Sequence, residues 1–186
     1  MPLLRMRNAS FVRGGAAVGP VTLDVAPGER AALACTTPHE AAVVALLAAG
    51  IVKASSGSVL IGDYDPKVQS VHCKRIAAFV AHEAVALGES DFRAYVAYRA
   101  ALWNVEGRRA LSHAKLLQDR LRGMHEAFAY PLIGALIGMP EIVVFERPQA
   151  AYAAQIIEVV GSLAMFSTHA SVDAAAAFAS RAELRA

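Results

Sequence analysis

Cysteine, charge and long apolar runs are all scarce in this 186-residue chain, and each scarcity excludes something. There are two cysteines, Cys35 and Cys73, without metal-ligand spacing. A disulfide framework or a zinc centre is therefore not expected, and both thiols read as reduced and partly buried. Charged residues make up only 18% and the net charge is +2, which gives no electrostatic case for nucleic acid as a partner. The longest apolar run, Ala41 to Val52, is too short to cross a bilayer, and Pro131 to Phe145 is broken by Glu141. The amino terminus carries no signal-peptide pattern.

What is present is apolar. Hydrophobic residues reach 56%, and the mean hydropathy is +0.40. Without a membrane span, that composition points to a large core and an apolar surface reserved for a partner. The length suits one domain with a substantial core.

Read in order, the pattern alternates. Leu3 to Asn8 and Val21 to Val25 read as strands joined through a turn at Gly14-Gly15. Arg30 to Cys35 is a short apolar strand, and His39 to Ala49 an apolar helix stopped by Gly50. Gly57 to Ile61 and Arg75 to Ala81 are expected strands, separated by a polar turn through Asp63, Asp65 and Pro66. From Ser90 to Gly138 the period becomes helical, with Phe92, Tyr95, Val96, Arg99 and Leu102-Trp103 on one stripe. Further helices are expected over Leu111 to Leu121 and Glu126 to Ile137, the latter kinked or delayed by Pro131. Strands at Glu141 to Phe145 and Leu163 to Ser167 then alternate with helices at Ala150 to Val160 and Ser171 to Ala179. The expected fold is α/β: a mostly parallel sheet flanked by helices, with antiparallel N-terminal strands and an inserted helical subdomain. Residues 1–88 and 139–186 would form the core of a single domain, and 89–138 the insert.

One stretch carries more than architecture. Gly28 to Val59 reads GERAALACTTPHEAAVVALLAAGIVKASSGSV. In frame and spacing it resembles the first phosphate-binding unit of an ABC-transporter ATP-binding domain, a P-loop NTPase. The resemblance runs without a gap through Gly28-Glu29-Arg30, Leu33, Leu47, Ala49-Gly50 and Ser56-Gly57. The loop itself is Cys35-Thr36-Thr37-Pro38-His39-Glu40-Ala41-Ala42. Ala41 stands where the family has its lysine, and Ala42 where it has the magnesium-binding hydroxyl. The loop glycines that let backbone N–H groups approach a phosphate are absent. Pro38 offers no N–H, and Glu40 adds a negative charge.

Magnitudes rank these losses. Removing the charge-assisted bond from lysine costs about 1.5–3 kcal/mol. A carboxylate about 4 Å from a phosphate charge costs about 4 kcal/mol at an effective dielectric near 20. Together these amount to roughly four decades of affinity, so a micromolar site would weaken to about 10 mM. No nucleotide is expected to bind at this loop.

The resemblance extends from about Leu3 to Ala179. His82 falls where the family has the glutamine that touches metal and membrane partner. The signature that closes over the partner subunit's nucleotide falls on Leu121-Arg122-Gly123-Met124-His125, without its serine and second glycine. Ala135-Leu136-Ile137-Gly138-Met139-Pro140 fits the segment that follows. Glu146 takes the place of the magnesium-ordering aspartate, and Arg147 that of the glutamate that polarises water. An arginine stays protonated and cannot accept that proton. The aspartate that ties two such domains together falls on Ala153, and His169 matches the switch histidine. An aromatic for adenine is not evident: Phe11 is close, but Arg13 holds the slot. Family members usually continue with a further strand pair beyond the position of Ala179, where this chain soon ends.

The resemblance thus implies a degenerate subunit, a pseudo-ATPase without catalytic residues, cofactor or metal. It would serve as a structural or regulatory partner of an active ABC ATP-binding subunit, a membrane permease, or both. Its place would be cytoplasmic, peripheral at the inner face of the membrane. Phe92, Tyr95, Tyr98 and Trp103 of the insert are the candidate partner surface, because aromatic anchors dominate interface energetics. A second reading keeps ATP and magnesium as cofactors, with Glu146 on the metal, Arg122 or Arg147 replacing the lysine, and His169 at the γ-phosphate. A third puts another small ligand in the emptied cleft near Cys35, His39 and His82; these imidazoles have no metal-specifying spacing.

Overall fold

The computed structural model describes residues 1–82, 89–179 and 181–184. Two long strands, β1 (Leu4–Arg13) and β2 (Ala16–Val25), form a hairpin through Gly14-Gly15. There follow β3 (Arg30–Ala34), α1 (Pro38–Ala48), β4 (Ser56–Ile61), α2 (Ser70–Ile76) and β5 (Ala77–Val80). Three helices come next: α3 (Glu89–Trp103), α4 (Gly107–Arg120) and α5 (Glu126–Leu136). The chain closes with β6 (Ile142–Glu146), a 3-10 turn over Ala150–Tyr152, α6 (Ala153–Val160), β7 (Ala164–His169), α7 (Val172–Ala176) and β8 (Arg181–Leu184).

Two sheets result. The antiparallel one has the order β2-β1-β4, and the five-stranded one runs β5-β6-β7-β3-β8 with every pairing parallel. Parallel strands buried on both faces must be apolar on both, and β6 shows it. Ile142 and Val144 join one core with Leu4, Met6, Leu47, Ile61 and Phe166. Val143 and Phe145 join the other, with Val96, Leu117, Ile133, Ile156 and Met165. α1 lies in the first core with the antiparallel sheet. Its apolar residues run all round the helix, and Ala41, Val43, Val44, Ala45, Leu47 and Ala48 are buried. α3 to α6 cover the opposite face.

Several expectations are corrected. Arg75 and Ile76, expected in a strand, finish α2, which begins at Ser70; the strand starts only at Ala77. The short helix has one buried residue, Cys73, and so leaves no apolar periodicity to read. Beyond Ala179 the edge is not bare, because β8 adds a parallel strand beside β3. The final helix is five residues, shorter than the expected Ser171 to Ala179. Pro131 lies inside an unbroken α5. A proline there forfeits a helical hydrogen bond at a cost of about 3 kcal/mol. Seven buried residues of α5, Tyr130 and Leu132 beside the proline among them, offset that loss. The expected boundary of the insert at Gly88 falls outside the described residues.

Two glycines are required by close approach. Gly134 of α5 has the Tyr95 ring where a side chain would begin, and Arg99 Nε donates to its carbonyl at 3.0 Å, so α3 lies directly on the α5 backbone. Gly57, at the start of β4, has φ +71°, and a Cβ there would meet the carbonyls of Arg7 and Asn8 in β1. Gly57→Ala combines left-handed strain with a backbone clash that neither strand can relieve singly. It should lower unfolding free energy by about 2–4 kcal/mol, read as a fall in the urea midpoint at unchanged slope. An unchanged midpoint would mean that β1 and β4 are not paired in this register.

Candidate functional site

The C-terminal ends of parallel strands gather what such a sheet offers to a ligand. Here β3, β5, β6 and β7 end in the loop 35–37, in His82, in Glu146-Arg147 and in Thr168-His169. Hydrogen bonds join these ends directly. Cys35 N donates to His169 O at 2.7 Å, and Arg147 N to Thr168 O at 2.9 Å. His82 Nδ1 lies 2.9 Å from Arg147 O. His82, read in the sequence as taking the glutamine's place, is thus a half-buried side chain that ties the end of β5 to the turn after β6.

The loop before α1 is closed by side chains of its own. Thr37 is the N-cap, with its Oγ1 accepting from Glu40 N at 3.1 Å, and Pro38 occupies the first helical turn. The Glu40 carboxylate folds back. Its Oε2 accepts from Thr36 N at 2.9 Å and from Thr36 Oγ1 at 2.7 Å. This is a variant of the capping box: Thr37 satisfies an unpaired N–H of the helix start, while the Glu40 carboxylate turns back to Thr36, one residue before the N-cap. Sequence reading took Glu40 only as a charge that repels phosphate. The spacing Thr37-x-x-Glu40 was the signal that could have shown its role as a cap. Cys35, Ala41 and Cys73 are buried, neither cysteine is in a disulfide, and His39 is exposed on the first turn of α1. His39 therefore does not close a cleft with Cys35.

After β6, Arg147 Nη2 lies 3.2 Å from Glu146 Oε1, and both side chains are mostly buried. Arg147 has φ +44°, a left-handed conformation uncommon for a side-chain-bearing residue. Its Nε is buried without a hydrogen-bond partner, and so is Thr168 Oγ1. Phe166, two residues earlier in β7, packs into the α1 core, so strand alternation puts the Thr168 side chain on that same side. Thr168 was not singled out from the sequence, and a lone threonine at a strand end gives no signal.

His169 is 1% exposed. Its Nε2 lies 2.9 Å from Ser167 Oγ, and its ring stacks on Phe178 at 5.1 Å. Burial lowers its pKa to about 4, so the imidazole is neutral at pH 7.

The segment Leu121 to His125 is a turn between α4 and α5 rather than an open loop. Leu121 and Met124 are buried, and His125 Nδ1 caps α5 by accepting from Ala127 N at 3.2 Å. Arg122 is exposed and pairs with Asp119 at 2.9 Å. Its carbonyl accepts from Gln155 Nε2 at 2.9 Å, which anchors the turn to α6. At the other end of the chain, Arg13 is exposed and Phe11 packs partly buried against the α1 core. The candidate partner aromatics also separate: Phe92 is buried against Tyr130, Tyr95 lies on Gly134 and Trp103 on Gly138. Of the four only Tyr98, 60% exposed, is openly available. Among the described residues no group of His, Cys, Asp and Glu could hold a metal ion, and no helix is long and apolar enough to cross a membrane.

The comparisons agree with this architecture. An ATP-binding subunit of an ABC transporter superposes with a TM-score of 0.80 at 13% identity, covering 98% of this chain and 85% of its own. The cbiO1 protein of Clostridium perfringens, part of the ABC transporter complex cbiONQ, gives 0.77 at 11% identity, over 98% and 84%. The ATP-binding cassette MJ0796, a dimer in a post-hydrolysis state bound to ADP and Pi, gives 0.71 at 13%, over 97% and 93%. No protein-family model and no curated protein matches the sequence. The chain has the fold of an ABC ATPase: a parallel sheet with helices and an antiparallel sheet of N-terminal strands.

His169 makes acid sensitivity predictable. Its folded pKa, about 4, lies below the ordinary 6.5, so the unfolded chain takes up this proton first. The associated stability is full above about pH 6.5 and is lost as pH falls toward 4, to a total on the order of 3 kcal/mol. His169→Gln should flatten this slope relative to wild type in urea midpoints measured from pH 7 to pH 4. Parallel curves for the two proteins would mean that His169 titrates freely in the folded state.

Proposed function

We propose that this chain is a catalytically silent counterpart of ABC ATP-binding subunits, acting as a structural or regulatory partner of an active ATPase subunit, a membrane permease or both. Arg147 carries the proposal. A guanidinium beside Glu146 occupies the end of β6, where a hydrolytic site of this fold needs a group that accepts a proton from water, and an arginine stays charged. The loop supports it independently, because Ala41 supplies no cation and the Glu40 carboxylate already holds the Thr36 donors. Neither Glu146, Arg147, His82 nor His169 is then catalytic, and the residues 35–42 and 121–125 are a retained frame without nucleotide or magnesium.

A partner role is supported by the surface. Between α1, α2, β5 and α3 runs a groove of about 570 Å³, floored by Phe79 and Trp103. Val71 and Leu102 on its walls are 61% and 58% exposed, an unusual outlay of apolar surface. Lys74, Arg75 and Arg99 line it as well. The occupant that matches is a helix of the permease with an apolar face flanked by carboxylates. The complex cbiONQ, of which cbiO1 is a part, and the dimeric cassette MJ0796 are the precedents for assembly. The protein would then lie on the cytoplasmic face of the membrane.

Melting temperature in Mg-ATP tests the central point, because a ligand specific to the native state must stabilise it. At about 1 mM Mg-ATP the shift should stay below about 1 °C, given a site no tighter than about 10 mM. A rise of several degrees would sink the silent reading. For the groove, Leu102→Glu should leave the melting temperature within about 2 °C and abolish co-purification with a co-expressed permease partner. Retention of that complex would exclude the groove as its docking site.

A further inference from the structure

We infer that Glu40 is an internal anion: its carboxylate takes the place at the start of α1 that an external phosphate would otherwise fill, and it keeps the loop shut against one. The inference rests on the reading that the loop takes no nucleotide. It says what took the nucleotide's place, which the loss of the lysine and glycines does not by itself decide.

The geometry is specific. The N-terminus of an eleven-residue helix concentrates unpaired N–H groups and the positive end of the helix dipole, and favours a negative group there. Glu40 belongs to the first turn of that helix, so its carboxylate could have pointed to water. It turns back instead, and a single oxygen, Oε2, receives both the N–H and the hydroxyl of Thr36. Thr37 holds the Glu40 backbone in place through the cap. The anion is thus tethered to the helix that attracts it, and an external competitor must displace it or accept its repulsion.

A second observation points to the same pocket. Thr168 is wholly buried, yet its Oγ1 has no hydrogen-bond partner. In register it sits between Leu33 of β3 and Glu146 of β6, and its side chain lies on the α1 side of the sheet. Buried hydroxyls without partners are rare in folded proteins. This one lies at the end of β7, in register with Leu33 just before the loop. The end of β7 therefore holds an unused hydroxyl on the side of a helix start whose anion the chain itself supplies. The fold keeps an anion pocket and fills it from within.

Removing the charge should uncover it. Wild type, Glu40→Ala and Glu40→Gln are compared as full chains, with inorganic phosphate at about 20 mM against chloride at equal ionic strength. In chloride, Glu40→Ala should melt about 3 °C below wild type, as expected for a lost cap in a chain of this size. Phosphate stabilises any folded chain slightly by exclusion from its surface, so the wild-type shift is the baseline. The variant should gain at least about 2 °C beyond it. Equal shifts in variant and wild type would overturn the inference and leave Glu40 an ordinary cap. Should Glu40→Ala fail to fold, Glu40→Gln carries the same comparison, since it keeps the acceptor oxygen and loses the charge. The Thr36 amide resonance gives a direct readout. It should move during a phosphate titration of Glu40→Gln and stay fixed in wild type; movement in both, or in neither, overturns the inference. Stabilisation of the wild type by Mg-ATP would instead defeat the silent reading of the previous subsection, while the phosphate comparison between variant and wild type still decides the role of Glu40.

Discussion

A parallel sheet enclosed on both faces is the constraint on which everything else in this molecule depends. β6 has no exposed side chain from Ile142 to Phe145, and β7 none from Ala164 to His169. Such strands can be polar only where they emerge, and a polar group near a buried strand end must find a partner or carry an unmet cost of about 1–3 kcal/mol. The polar residues of β7, Ser167, Thr168 and His169, follow that rule in sequence order. Ser167 and His169 satisfy each other. The carbonyls of Thr168 and His169 bind the next turn and the loop. Only the Thr168 hydroxyl is left over. Fold and site are therefore one arrangement: the apolar layers decide where the polar ends meet.

The same constraint explains how the loop and helix that follow β3 are ordered from within the chain. What orders α1 is the burial of six of its residues, and a bound phosphate is not needed for that. The remaining requirement is that the first N–H groups of the helix be satisfied. Thr37 does this for the Glu40 N–H, and the Glu40 carboxylate holds Thr36 just ahead of the cap. After β6, the Arg147 guanidinium pairs with Glu146 within the chain. Both contacts satisfy polar groups at the strand ends from within the chain. The helical layer is set in the same manner. Gly134 brings α3 onto α5, and the turn 121–125 is anchored to α6 by Gln155.

Much of this was legible in the residues. The alternation of apolar runs foretold the order of strands and helices, because sheet and helix burial impose different periods on the same chain. That residues 35–42 contain neither lysine nor glycine is read directly from the sequence, independently of any packing period. α2 was not legible, because a helix with a single buried residue has no period. The stripe of the insert reads as core or coupling surface and divides between the two: Phe92 and Tyr95 pack inward while Trp103 also lines the groove, since a stripe on a helix shows that one face is apolar and not what covers it.

The succession of most elements and the apolar layers follow from the sequence alone, because they depend on residue type and local spacing. Where the Glu40 carboxylate points, which hydroxyl at the strand ends goes unpaired, and which strand flanks β3 were decided only in three dimensions. Those outcomes depend on which groups meet across the sheet, and residues far apart in the chain determine that.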